Sequence, residues 1–262
     1  MSDTVLYSIA DGVATITLNR PKVMNALDLN MLRELRAAAG QAGRDTTARV
    51  VVIRGEGPAF LAGGDVAMFH ANLRNDVPAL VKEGGAELHH AILALRLAPK
   101  PVLASVHGAV AGAGLSLMVA ADLAIAAEDT KFTMAYTRIG TSPDGGATWA
   151  LPRLVGYHKA LELMLLSDTF DAQTALRLGL VNWAVGAERL AAETAAIARK
   201  LAQGATIAFG EIKRLVYQGQ DQTLAAQLEA EVLAFARCAG TRDFAEGVTA
   251  FVEKRKPDFK GN

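Results

Sequence analysis

Three short apolar runs, residues 50–54, 102–106 and 123–127, constrain the fold of this chain more than any other feature. They are apolar without a regular polar alternation, and the first ends in Gly55-Glu56-Gly57-Pro58, so they read as buried strands ending in loops. Helical stretches lie between them. Residues 27–39 carry apolar side chains at helical spacing, residues 80–97 are closed by Pro99 and Pro101, and residues 112–119 form a Gly/Ala-rich helix. Strand, loop and helix in this succession predict an α/β fold with a mainly parallel sheet and helical crossovers. Ahead of them, β-branched runs at 5–9 and 13–18 flank Asp11-Gly12, a two-residue hairpin signal. From Gly156 onward the pattern is helix after helix, except for a short strand near 181–185. The expected organisation is an α/β core over residues 1–195 and a helical C-terminal region over 196–262.

Charge narrows the partners. Lys+Arg and Asp+Glu both number 27, so the chain has no basic surplus with which to hold a nucleic acid as its main partner. One cysteine, Cys238, excludes an internal disulfide and a paired-Cys zinc site. The N-terminus carries neither a basic nor an apolar leader segment. The most membrane-like stretch, residues 108–121, is too short to span a bilayer and reads as a buried core element. A cytoplasmic protein without a membrane partner is expected.

Three segments carry possible chemistry. Ala62-Gly63-Gly64-Asp65 follows the first buried strand; its glycines allow close backbone approach to a ligand, or simply make a turn. Gly108-Ala109-Val110-Ala111-Gly112-Ala113-Gly114-Leu115-Ser116 joins a strand to a helix. Small residues at a helix start expose unpaired N–H groups at the positive end of the dipole, although tight helix–sheet packing asks for the same residues. Pro143-Asp144-Gly145-Gly146 is a strong turn in which Asp144 suits an N-cap, or a carboxylate desolvated by the apolar and aromatic residues that follow.

Together with Arg20-Pro21 and Asn25-Ala26-Leu27, with KPVLASVHG and AGAGLSL, and with ALPRLVG, GLVNWAV and the terminal EGVTAFVEKRKPDF, these segments resemble the crotonase family of enoyl-coenzyme A hydratases and isomerases. The likeness spans essentially the whole chain. It implies a ββα spiral core with a helical C-terminal trimerisation region, assembled as a homotrimer or a dimer of trimers. It also implies an acyl-CoA substrate, no permanently bound cofactor and no metal. The thioester oxygen would be held by the backbone N–H groups of Gly64 and Ala113. Coenzyme A would lie against Lys22, Ala62, Gly63, Asp65 and the basic tail at Lys256.

The chain departs from the hydratase pattern at two places. Hydratases of the family keep glutamates where this sequence has Ser116 and Tyr136, neither of which is a base near neutrality. Asp144 is then the carboxylate left on that rim, and GTSPDGG resembles the branch that moves double bonds, including the isomerase of phenylacetate breakdown. That branch implies an enoyl-CoA isomerase with Asp144 as proton shuttle. Two other readings stay open: a hydratase with a different water site, and a dehalogenase-like hydrolase with Asp144 as nucleophile, His89 as base and Tyr136 beside the ring. A non-enzymatic acyl-CoA-binding scaffold is the alternative outside catalysis.

Overall fold

The computed structural model describes residues 3–262. Nine strands are seen among them: β1 (Val5–Ala10), β2 (Val13–Leu18), β3 (Val50–Gly55), β4 (Val102–Val106), β5 (Ala109–Ala111), β6 (Leu123–Ala127), β7 (Lys131–Thr133), β8 (Phe170–Asp171) and β9 (Trp183–Val185). β1 and β2 form the hairpin expected at Asp11-Gly12, both of which take positive φ as a tight turn requires. The remaining pairings of the main sheet are parallel, in the order β1-β2-β3-β4-β6-β9.

The apolar runs lack alternation because both faces of this sheet are covered. Val51 and Ile53 point into the larger core with Met31, Leu32 and Leu35 of α1 (Leu29–Arg44). Val50 and Val52 point the other way, with Leu103 and Ile125, toward Leu190, Ala198 and Ala202 of α8 (Leu190–Ala202). Full burial of each such side chain is worth about 1.5–3 kcal/mol. Residues 195 and 196, where the boundary is expected, lie within α8, whose Leu190, Ala198 and Ala202 pack on the sheet.

Between β3 and β4 come α2 (Val66–Ala71) and α3 (Val77–Leu97). Asp76 caps α3 by accepting from the Ala79 N–H at 2.9 Å. Of residues 73–87, whose Pro78 and Gly84-Gly85 suggest a mobile segment, 77–87 form the first half of α3. Pro78 sits in the first helical turn, where its missing N–H costs nothing. Gly84 faces α1, where an added Cβ would stand 3.1 Å from Leu32 Cδ1.

A second, three-stranded sheet, β5-β7-β8, was not legible in the sequence, because strands of two or three residues give no periodic signal. It matters for the site. Bridges Leu61↔Val110 and Leu27↔Gly64 extend it by two further stretches of chain. α4 (Ala113–Ala120) follows β5 directly and is buried at every residue, as the Gly/Ala composition foretold. α5 (Ala147–Val155), α6 (Tyr157–Leu166) and α7 (Ala172–Arg177) close this side. After α8 come α9 (Thr206–Gln218), α10 (Leu224–Ala239) and α11 (Arg242–Glu253), which leave Val232, Phe235, Phe251 and Val252 largely exposed. Among the described residues, no helix is long and apolar enough to cross a membrane.

Candidate active site

The second sheet aligns the two glycine-rich segments side by side. The Leu61 N–H donates to Ala109 O at 3.2 Å and the Ala111 N–H to Leu61 O at 3.0 Å, so residues 61–64 run along β5. On their other side the Leu27 N–H donates to Gly63 O at 2.8 Å and the Asp65 N–H to Leu27 O at 2.9 Å. This pattern consumes the groups on either side of the Gly64 N–H and leaves that donor without a protein acceptor among the described residues. The Ala113 N–H, in the first turn of α4, is likewise unpaired, while the Leu115 and Ser116 N–H groups close on Gly112 O.

The two strips touch. A Cβ added to Gly63, whose φ is +102°, would stand 3.8 Å from Ala113 N. A Cβ on Gly114 would lie 2.1 Å from Leu61 O, so a glycine is required for α4 to approach the strip this closely. Two free N–H groups thus converge at the positive end of a buried helix, an arrangement that stabilises oxygen charge as it develops.

The polar rim lies one turn further along α4. Ser116 Oγ and Tyr136 Oη are 3.0 Å apart, and the Tyr136 hydroxyl donates to Asp144 Oδ1 at 2.6 Å. Tyr136 begins a short 3₁₀ turn, Tyr136–Ile139, and is buried. Burial, reinforced by the Asp144 charge and the hydrogen bond to it, pushes the Tyr136 phenol far above its ordinary value. It is a permanent donor here, never a base.

Asp144 is not the N-cap of α5, a place taken by Gly146, and its carboxylate is exposed rather than desolvated. The aromatic residue expected to cover it, Trp149, is engaged elsewhere, with the guanidinium groups of Arg96 and Arg153 at 4.7 and 4.1 Å from its ring. Gly145 backs instead onto Ser116, Leu88 and Ile92.

His89 lies on the exposed side of α3; its side chain makes no hydrogen bond among the described residues and does not join the Ser116–Tyr136–Asp144 chain. Lys22 is exposed on the 3₁₀ turn Pro21–Val23. Ala62 directs its N–H to Met24 O at 3.0 Å, fastening that turn to the glycine strip. The Asp65 carboxylate is already engaged, capping α2 through the Met68 N–H at 3.2 Å and pairing with Arg20 at 3.1 Å. Lys256, exposed beyond α11, shares no hydrogen bond or ion pair with these residues. No group of three or more His, Cys, Asp and Glu gathers as a metal site among the described residues.

Asn25 carries a structural role that sequence reasoning missed. Fully buried and at φ +58°, it donates through Nδ2 to Glu56, Ala59 and Phe60 carbonyls at 3.0, 2.8 and 3.1 Å. Its Oδ1 accepts from the Arg20 N–H at 2.7 Å. One side chain therefore pins the loop that delivers residues 61–64. The only sequence signal was the proximity of Arg20-Pro21 to Asn25.

Comparison with known proteins agrees with this geometry. Residues 8–262 match the model of the Enoyl-CoA hydratase/isomerase family. The protein named Probable enoyl-CoA hydratase of Rhodobacter capsulatus is 41% identical over 98% of both chains. The 1,2-epoxyphenylacetyl-CoA isomerase of Escherichia coli is 37% identical over 100% of both. The crystal structure of an enoyl-CoA hydratase from Polaromonas sp. JS666 superposes with a TM-score of 0.93 at 35% identity, covering 98% of this chain and 99% of that one. The chain belongs to the crotonase, or enoyl-CoA hydratase/isomerase, family of acyl-CoA enzymes.

Proposed function

We propose that this enzyme is an enoyl-CoA isomerase, shifting a carbon–carbon double bond between the β,γ and α,β positions of the thioester. The observation that carries the reading is the Ser116–Tyr136–Asp144 chain. Hydroxyls stand where a hydratase of the family keeps its two glutamates, and the single carboxylate beside them is Asp144. The thioester oxygen sits between the Gly64 and Ala113 N–H groups. Asp144 removes a proton from the carbon next to the carbonyl, and the electron pair flows onto the oxygen as a dienolate. The protonated Asp144 then returns the proton to the γ carbon, and the double bond moves into conjugation. No proton is gained or lost overall, so one carboxylate suffices where water addition asks for more.

Relatives named as isomerases support the choice. Besides the Escherichia coli protein, the trans-2-decenoyl-acyl-carrier-protein isomerase of Streptococcus mutans is 37% identical over 98% of both chains. Coenzyme A is assigned to the groove by Lys22 and the Ala62-Gly63 backbone, with Asp65 acting through its hold on Arg20 and Lys256 reaching the phosphates. The exposed Val232, Phe235, Phe251 and Val252 fit a homotrimer or a dimer of trimers, since an apolar surface of this extent is seldom left to water.

The test is Asp144→Asn assayed on straight-chain, dienoyl and aryl thioesters. Turnover of β,γ-enoyl-CoA falls by about 10²–10⁴-fold, with coenzyme A binding and Tm unchanged. Full activity in the variant refutes the assignment, and tight binding without turnover in the parent chain favours a scaffold.

A further inference from the structure

We infer that Tyr136 is a positioning residue for Asp144: its phenol, itself fixed by Ser116, holds Oδ1 so that Oδ2 alone carries the proton. The inference rests on the isomerase reading for its catalytic meaning, and on hydrogen-bond geometry for its substance.

The direction of the chain follows from counting protons. A phenol has one O–H, and at 2.6 Å that proton is committed to Asp144 Oδ1. At the 3.0 Å contact with Ser116 the phenol oxygen must therefore accept, and the serine hydroxyl donates. The alternative acceptor for Ser116, Gly112 O, lies further off at 3.4 Å. Each donor sharpens the next, so a buried serine strengthens the bond that a buried tyrosine makes to a carboxylate at the surface. Both hydroxyl residues are held: Ser116 is fully buried on α4, and Tyr136 is buried where the 3₁₀ turn begins. Asp144, by contrast, is exposed on a turn with glycines at 145 and 146, and among the described residues only Tyr136 hydrogen-bonds its carboxylate. Among the described residues no Lys, Arg or His side chain lies within ion-pair distance of it. Of the elements around it, α3 contributes Leu88 and Ile92 behind Gly145, with His89 and His90 exposed beside them, and α4 contributes uncharged Ser116.

The consequence for the reaction is geometric. A carboxylate free to rotate on a loop presents either oxygen at any angle. One clamped through Oδ1 presents Oδ2 alone, and both the removal and the return of the proton then occur at one atom.

The test compares Tyr136→Phe and Ser116→Ala with the parent enzyme by two readouts. The first is the carbon-13 chemical shift of the Asp144 carboxylate at one fixed pH, assigned by its loss in Asp144→Asn and read without substrate. Losing the phenol's hydrogen bond displaces the signal in Tyr136→Phe, and Ser116→Ala displaces it in the same direction by less. The second is steady-state isomerisation of β,γ-enoyl-CoA. In Tyr136→Phe, kcat falls about ten- to a hundredfold, and KM stays within about twofold. An undisplaced signal in Tyr136→Phe overturns the inference whatever the activity does; should that variant not fold, an undisplaced signal in Ser116→Ala does so. A displaced signal in a protein that isomerises no enoyl thioester leaves the clamp standing and removes the isomerase reading. The two failures are thus distinguishable.

Discussion

The glycine cradle and the carboxylate rim sit within one turn of α4 of each other, yet they are made of different material. The cradle uses backbone N–H groups, is fixed by hydrogen bonds on both edges of residues 61–65, and leaves no room for side chains where α4 meets Leu61. The rim uses side chains, places its one carboxylate on an exposed turn, and depends on two buried hydroxyls to hold it. A backbone site tolerates almost no change at its small residues and is indifferent to the reaction performed. A side-chain site can be rebuilt one residue at a time. On the proposed reading, a change from hydratase to isomerase chemistry needs a new acid/base set and leaves the thioester grip as it is.

Gly114→Ala tests the cradle with the largest expected effect. The added methyl would meet the Leu61 carbonyl at 2.1 Å, and backbone on both sides prevents an easy retreat. Overpacking costs about 1–3 kcal/mol, and displacing the Ala113 N–H from its partner strip costs about 10²–10³ in kcat. Both Tm and turnover fall, in contrast to Asp144→Asn, which loses turnover alone. An alanine variant with parental Tm and kcat would break the distinction between the two halves.

Asn25→Ala comes next and asks how far the cradle depends on what lies beneath it. The change removes the donors to three carbonyls and the acceptor of one N–H, and it places alanine at a φ of +58° that asparagine tolerates better. The expected loss is about 3 kcal/mol or more, read as a drop in Tm of roughly 6–12 °C for a chain of this size. Whatever folded protein remains should show the parental carbon-13 chemical shift of the Asp144 carboxylate, because the rim is held from α4 and the 3₁₀ turn rather than from this loop. A displaced signal would mean that the two halves are coupled.

The same contrast sets what the sequence disclosed. Strands β2, β4 and β6 lie at the residues expected, because apolar and β-branched runs report burial directly. Gly63, Gly64 and Gly112 to Gly114 pointed to the cradle because close approach leaves glycine as its trace. The short sheet β5-β7-β8 left none, since three-residue strands are defined by partners far away in the chain. Asp144 was legible as a candidate only through what Ser116 and Tyr136 are not. Its hydrogen bond to Tyr136 links residues 136 and 144 across two turns, and no spacing rule encodes that contact. The apolar sequence after Asp144 suggested a desolvated base. Trp149 turns instead toward Arg96 and Arg153, because those guanidinium groups offer its ring a better partner than a carboxylate does.

His89→Ala has the smallest expected effect and probes the outer limit of the rim. In a dehalogenase-like reaction, Asp144 attacks the halogen-bearing ring carbon and halide leaves; the resulting aryl ester needs a base to activate water, so loss of that base strands an aryl-enzyme adduct visible as added protein mass. The imidazole of His89, exposed on α3, shares no hydrogen bond with Asp144, Tyr136 or Ser116. A single proton shuttle has no use for a second base, because the proton taken by Asp144 leaves again to the substrate. Isomerisation of β,γ-enoyl-CoA by His89→Ala should therefore stay within about twofold of the parent, in line with a surface substitution far from packing or polar networks. No adduct should accumulate with halogenated aryl thioesters. An adduct in the variant, with normal turnover of the same aryl thioester in the parent, would extend the rim to α3 and replace the shuttle by a nucleophile.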